Sequence, residues 1–259
     1  MIDHLHRIPS RRRFLALGGA LLALSPGPAT AATGEGGAGS PLPVPQHHVT
    51  AGPKTVALTF DDGPSPLYTP RVLAVLARYG VPATFFLIGR NVVKYPDVAR
   101  EILDQGHELG NHSWSHPDLT RLTRDRVRDE IRRTQDVIGD TTGRTPRVFR
   151  APYGFFAPAS LAVCARLRLR PVSWSVDTVD WSNPGVEHIV RTVETEAVTG
   201  SIVLHHDGTL SEGALPDREG NADRTQTVDA LGFYLPRLID AGYRFTTVSG
   251  TGPSAASFG

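Results

Sequence analysis

Apolar residues along this chain come in two rhythms that alternate. Short runs rich in β-branched and aromatic residues show no helical period, while longer stretches repeat their apolar positions every three or four residues. The short runs predict strands over residues 56–60, 83–89, 107–113, 147–154, 170–177, 201–207 and 243–249. The longer stretches predict helices over residues 69–80, 97–106, 124–138, 157–168, 186–197 and 226–242. Gly80 and Gly106 close the first two helices, and Pro236 lies inside the last. These are about seven strand-helix repeats, with strands apolar enough to be buried on both faces. Such a pattern makes an α/β fold with a parallel sheet and helices outside it, either a barrel or a doubly wound sheet. Polar residues recur where strands end: Asp61 and Asp62, His112 and His116, Arg150, Asp177, His206. Convergence at one face favours a (β/α) barrel.

The first 53 residues lie outside this rhythm and are read separately. Arg11-Arg12-Arg13 precedes an apolar run of 11 residues, Phe14 to Leu24. A bilayer span needs about 20 residues, so the run is too short to cross. Ala29-Thr30-Ala31 then offers a small-x-small cleavage site. Residues 1–31 therefore read as a signal peptide, and the twin arginines followed by Phe-Leu give it a Tat-like character. No cysteine follows the apolar run to carry a lipid, so no stable membrane anchor is expected. The expected location is outside the cytoplasm, secreted or in the cell-wall space, and the expected state is a monomer. Residues 32–53, rich in Gly, Ser, Pro and Ala, read as a flexible linker in which His47 and His48 are solvated. The folded domain is expected over 54–250, with 251–259 as a tail.

Composition narrows the function classes. A formal net charge of +1 gives no electrostatic reason to expect nucleic acid or an anionic membrane as partner. Cys164 is the only cysteine, so no intramolecular disulfide forms. Its surroundings, LAVCARL, place it on a helix as a buried thiol.

The candidate chemistry starts at Thr59-Phe60-Asp61-Asp62-Gly63-Pro64, where a strand is stopped by Gly and Pro. Taken alone, Asp-Gly-Pro is also ordinary turn chemistry. Two adjacent carboxylates cost energy unless a cation lies beside them. Asn111-His112-Ser113-Trp114-Ser115-His116-Pro117 supplies a His-x3-His pair, and Pro117 puts it on a turn rather than a helix. Two imidazoles and one carboxylate form a facial set that leaves positions open for water and substrate, as catalytic Zn²⁺ requires.

Five segments, TFDDGP, HSWSH, RAPYG, DTVDW and LHHD, in that order and spacing, resemble the motifs of the NodB-homology polysaccharide deacetylases, carbohydrate esterase family 4. The match spans roughly Lys54 to Ser249, and the family fold is a distorted (β/α) barrel. The resemblance implies that Asp62, His112 and His116 bind a divalent metal, Zn²⁺ or else Co²⁺. It implies that Asp61 is the general base toward the attacking water, held in place and favoured in its ionised form by Arg150. His206 would be the general acid for the leaving amine, and Asp177 the carboxylate that orients it. The backbone N–H of Tyr153 would help to hold the oxyanion. Trp181 and Leu204 would wall the acetyl pocket. His205 would point to the other face of its strand as a structural residue, and Asp180 is open between turn capping and a catalytic part.

The resemblance thus implies a deacetylase acting on GlcNAc-containing glycans, chitin oligomers or peptidoglycan. An O-acetyl esterase on xylan could use the same site, and an inactive glycan-binding pseudoenzyme is a third reading. Residues 209–224, a polar Gly-containing loop after His206, read either as a substrate rim or as a disordered insertion.

Overall fold

The computed structural model describes residues 41–209 and 223–250. Residues 1–31, expected to be a signal peptide, the first part of the expected linker, most of the 209–224 loop and the tail 251–259 lie outside the described residues. Eight strands and seven helices are described. The strands are β1 (Thr55–Asp61), β2 (Ala83–Leu87), β3 (Glu108–Asn111), β4 (Val148–Phe149), β5 (Arg170–Pro171), β6 (Val176–Asp177), β7 (Ile202–His206) and β8 (Arg244–Thr246). The helices are α1 (Thr69–Tyr79), α2 (Gly89–Lys94), α3 (Pro96–Asp104), α4 (Arg124–Thr142), α5 (Pro158–Leu167), α6 (Val186–Glu196) and α7 (Thr225–Asp240).

All the strand pairings are parallel, in the order β5-β4-β3-β2-β1-β7-β6. Ala57 is paired to Ile202 and Thr246 at once, so β8 lies on the β2 side of β1, beneath the start of β2. The two edges of the sheet, β5 and β6, are the ends of one segment. What the sequence pattern gives as a single strand, 170–177, pairs with β4 in its first half and with β7 in its second. Residues 172–175 carry the chain from one edge to the other, and the sheet curls into a distorted (β/α) barrel. A single strand could not serve both edges without a break, which is why the run is split.

Two further departures from the sequence pattern have local causes. Gly89 leaves the apolar run of β2 and opens the short helix α2, which packs beside α4. Residues 46–49, read as flexible linker, lie on the seam of the barrel. Gln46 N–H donates to Pro171 O at 2.9 Å, Ser173 N–H donates to Gln46 O at 2.7 Å, and Val49 is buried. At the break in the strand, the Pro171 carbonyl and the Ser173 N–H are thereby paired with this segment. His47 and His48 themselves are exposed. Pro236 stays inside α7, with Gly232 one turn before it. Cys164 is buried and burial pushes its thiol up to about 12, so it packs as a small apolar group.

Strand parity divides the core in two. Val56, Leu58 and Phe60 of β1 join Phe85, Val203 and Leu235 under the helices. Ala57 and Phe86 belong instead to the set inside the barrel, with Val148, Val172 and Ile202. By the same alternation, Thr59 and Asp61 face the interior, as do Leu204 and His206. Each fully buried large apolar side chain is worth roughly 1.5–3 kcal/mol, so β1 alone fixes the sheet against its helices.

Inside the barrel, space is tight at one glycine. A Cβ on Gly110 would lie 2.4 Å from the Phe86 ring. Gly110→Ala is therefore expected to cost about 1–3 kcal/mol through overpacking. Urea unfolding with an unchanged m-value reads the loss, and wild-type stability in this variant would contradict the packing described.

Candidate active site

The C-terminal ends of β1, β3, β4 and β7, with the loop after β6, converge on one mouth of the barrel. Asp61 ends β1, and its register partner on β7 is His206. Neighbouring parallel strands therefore set these two interior side chains opposite each other.

Arg150 enters the barrel from the end of β4 and is fully buried. Its Nη1 donates to Asp61 Oδ1 at 2.7 Å and to Thr59 Oγ1 at 2.8 Å, and Nη2 donates to Ser173 O at 2.8 Å. The guanidinium lies 4.2 Å from the Phe86 ring centroid. Burial pulls its pKa down, and Asp61 beside it pulls it back up. Asp61 Oδ1 is thus committed to Arg150, while Oδ2 lies 3.7 Å from His112 Nε2 on the side of the histidines.

Asp62 turns out of the strand with φ 72°, a left-handed conformation rarely adopted by residues with a Cβ. Close approach of the β7 end enforces the turn: a Cβ on Gly208 would lie 2.1 Å from Asp62 O. Asp62 Oδ1 lies 3.6 Å from His112 Nε2 and 3.4 Å from His116 Nε2. One ligand atom from each of the three lies within 4.8 Å of the others, and all three residues are buried. His112 Nδ1 is 2.8 Å from Arg150 O, so Nδ1 carries the proton and the Nε2 lone pair faces Asp62. Burial lowers His116 to about 4 despite the attraction of Asp62, so its ring is neutral near pH 7. Asp62 Oδ1 is buried without a hydrogen-bond partner. Converging lone pairs around an orphaned carboxylate oxygen repel one another unless a cation sits between them, and nitrogen and oxygen donors of this kind suit a divalent metal. The residues present fit such an ion.

His206 faces this set from β7. Its Nδ1 is 2.7 Å from Asp180 Oδ1, and its backbone N–H donates to Asp180 Oδ2 at 2.8 Å. Thr227 Oγ1, from α7, donates to the same Oδ2 at 2.7 Å. Burial disfavours charge on His206, but Asp180, then Asp62 and Asp61, outweigh it and lift the ring to about 9. Burial raises Asp180, yet His206 and the hydrogen bonds it accepts hold it well below the usual carboxylate range. Asp180, not Asp177, is therefore the carboxylate that orients His206. Asp177 Oδ1 instead accepts the N–H of Val179 at 2.9 Å. Val179 has φ 53°, unusual for a β-branched residue, and this kink swings Asp180 back beneath His206. His205 points away, between Phe60 and Tyr234, with Nε2 2.9 Å from Tyr234 Oη.

Between these walls lies a cavity of about 670 Å³. Tyr153, Trp181 and Leu204 line it as the motifs imply, and so do Asp61, Asp62, His112, His116, Asp177 and His206. Tyr153 and Trp181 are half exposed at its rim. Thr209 and Arg224, the two ends of the loop read as a possible substrate rim, also line it, as does Trp174, which carried no signal in the sequence. Trp174 sits in the broken strand, whose inward face shows only once the break is known. Arg224 Nε donates to Gly208 O at 3.0 Å from the far end of the 209–224 loop, and no spacing rule reaches across that loop. Thr227 is one threonine among the polar positions of a helix.

The folded pKa of His206 lies above the unfolded value of 6.5. Its protonated ring thus stabilises the fold fully below about pH 6.5 and loses that contribution as pH rises through about 9. In chelator-treated protein, the stability advantage of wild type over His206→Gln is expected to be flat below pH 6.5 and to vanish by about pH 10. Urea midpoints across this range measure it, and a constant difference would remove the His206–Asp180 ion pair.

Comparison with known proteins agrees with the geometry. The polysaccharide deacetylase family profile matches residues 48–172. A chitooligosaccharide deacetylase of Bradyrhizobium is 42% identical over 194 residues, covering 74% of this chain and 88% of that protein. A peptidoglycan-N-acetylglucosamine deacetylase of Bacillus cereus is 40% identical over 198 residues, covering 76% of this chain and 87% of the relative. The crystal structure of the Bc1960 peptidoglycan N-acetylglucosamine deacetylase superimposes with a TM-score of 0.70 at 35% identity, covering 78% of this chain and 89% of that one. With the five motif segments gathered around one mouth of a distorted barrel, the chain belongs to the polysaccharide deacetylase family, the NodB-homology group of carbohydrate esterase family 4.

Proposed function

We propose that this protein is an exported, metal-dependent deacetylase that hydrolyses N-acetyl groups of GlcNAc-containing glycans, chitin oligomers or peptidoglycan. The carrying observation is the arrangement of Asp61 with Arg150 on one side and His206 with Asp180 on the other, with Asp62, His112 and His116 beside them. The relatives named for chitooligosaccharides and for peptidoglycan support the choice of substrate class. The leader over residues 1–31 supports export. Among the described residues, no helix is long and apolar enough to cross a membrane.

Asp62, His112 and His116 would hold the metal. When bound, a divalent ion there supplies Lewis-acid polarisation of the acetyl carbonyl and makes water a better nucleophile near neutral pH. Asp61 Oδ2, free of Arg150 and directed toward the histidines, takes the proton of the attacking water. The backbone N–H of Tyr153 donates to the oxyanion that develops on the carbonyl oxygen. His206, with Nδ1 bound to Asp180, has Nε2 left to give its proton to the departing amine. Protonation of that nitrogen is obligatory because an amide anion does not leave. A histidine raised to about 9 is already in the donating form at neutral pH. Trp181 and Leu204 enclose the acetyl methyl.

Acetate release from chitopentaose and from peptidoglycan should vanish on chelation and return with Zn²⁺ or Co²⁺. Release from acetylxylan alone would reassign the substrate, and Asp62→Ala with full activity would sink the metal reading. Asp61→Asn and His206→Gln are each expected to lower kcat by roughly 10²- to 10⁴-fold. Asp180→Asn should move the alkaline limb of the kcat profile to lower pH, since it removes the charge that raises His206. Asp177→Asn should leave that limb in place. For export, a reporter carrying residues 1–31 should leave the cytoplasm, and Arg12→Lys with Arg13→Lys should hold it back.

A further inference from the structure

The turn between the two histidines has no backbone ladder of its own. Ser113 and His116 both adopt left-handed conformations, with φ of 66° and 60°. Buried backbone N–H groups still need acceptors, and here each finds a side chain. Ser113 N–H donates to Asn111 Oδ1 at 3.0 Å, and His116 N–H donates to Ser113 Oγ at 3.1 Å. Those two acceptors belong to the turn and its approach. The remaining two N–H groups, of Trp114 and Ser115, donate to a single oxygen, Glu130 Oε2, at 2.9 and 2.8 Å. Ser115 Oγ donates to the other oxygen, Glu130 Oε1, at 2.9 Å. Glu130 stands on α4, whose backbone is tied to the same turn by Asn111 Nδ2 donating to Ile131 O at 2.8 Å. The N–H groups of Gly89 and Arg90 in α2, which packs beside α4, donate to Ser113 O and Trp114 O at 3.0 and 3.1 Å.

The turn is therefore held by two helices, and its N–H groups at Trp114 and Ser115 depend on one carboxylate. We propose that Glu130 is a positioning residue that fixes the spacing of His112 Nε2 and His116 Nε2 about Asp62, and thereby sets the affinity of the site for a divalent cation. The proposal rests on the metal reading given above. Supporting groups of this kind change metal affinity by about 10- to 100-fold when removed.

The test compares three variants by calorimetric titration of chelator-stripped protein with Zn²⁺. Gln keeps the reach of Glu: its amide oxygen can accept both N–H groups, and its NH₂ can donate to Ser115 Oγ. Glu130→Gln is therefore expected to bind Zn²⁺ within about 3-fold of wild type. Asp keeps the charge but is one methylene shorter, so Glu130→Asp should bind about 10- to 100-fold more weakly, as should Glu130→Ala. Val127→Ala, which trims buried packing of α4 and removes no acceptor of the turn, should keep wild-type affinity. In the stripped proteins, the amides of Trp114 and Ser115 should exchange hydrogen faster in the Asp and Ala variants than in the Gln variant. Wild-type affinity and exchange in Glu130→Asp would overturn the proposal. So would a Gln variant as weak as Asp, or a Val127→Ala variant as weak as Glu130→Ala. Should Glu130→Ala fail to fold, the Gln and Asp pair decides. Wild-type protein that takes up no Zn²⁺ would instead refute the metal reading, and the exchange of the two amides then decides the role of Glu130 in the turn.

Discussion

A guanidinium sealed inside the barrel constrains much else in this structure. Taking an arginine out of water costs several kcal/mol, and the cost is offset only where its donors meet acceptors and its charge meets a carboxylate. Arg150 meets Asp61 and Thr59 from β1 and the carbonyl of Ser173 from the broken strand. The Phe86 ring lies beneath it, and Gly110 leaves Phe86 room to do so. Its own backbone carbonyl accepts from His112 and so fixes which nitrogen of that ring faces Asp62. One residue thus joins sheet closure, Asp61 and the cluster of Asp62, His112 and His116. Replacing either partner of the pair would strand a buried charge, so fold and site are coupled through it.

The neighbourhood of this pair concentrates unfavourable backbone conformations. Asp62, Ser113, His116, Tyr153 and Val179 all have positive φ without being glycine. Each costs of order 1–3 kcal/mol and persists only where the surroundings over-determine it. Here the surroundings are side chains acting as acceptors for the turn amides: Asn111, Ser113 and Glu130 around the histidines, Asp177 at Val179. The strain is thus met by local hydrogen bonds, leaving the functional side chains aimed at a common point.

Much of this was legible in the residues. Period-two alternation in VALTF and LHH already separates Asp61 and His206 from Phe60 and His205, and the five motif segments name the residues of the cavity wall. The split of 170–177 was not legible, because a run of extended residues looks the same whether it has one neighbour or two in succession. The exchange of Asp177 for Asp180 has a different origin. Two carboxylates three residues apart are equivalent in sequence, and only the kink at Val179 decides which one reaches β7. Residues 46–49 lacked a hydrophobic period because they attach largely through backbone hydrogen bonds, with Val49 the one buried side chain among them. Glu130 looked like any helix-surface acid, since its partners are N–H groups of a turn some fifteen residues earlier in the chain.

The pairing of Asp61 with His206 across adjacent parallel strands has a consequence for how such a scaffold diversifies. The two residues stand side by side on strands about 4.8 Å apart, so their backbone positions are set by the hydrogen-bonded sheet. Insertions or deletions at the rim can reshape the mouth while these two backbone positions stay where the sheet holds them. The shape of the mouth and the placement of these two residues are then separate degrees of freedom in the scaffold.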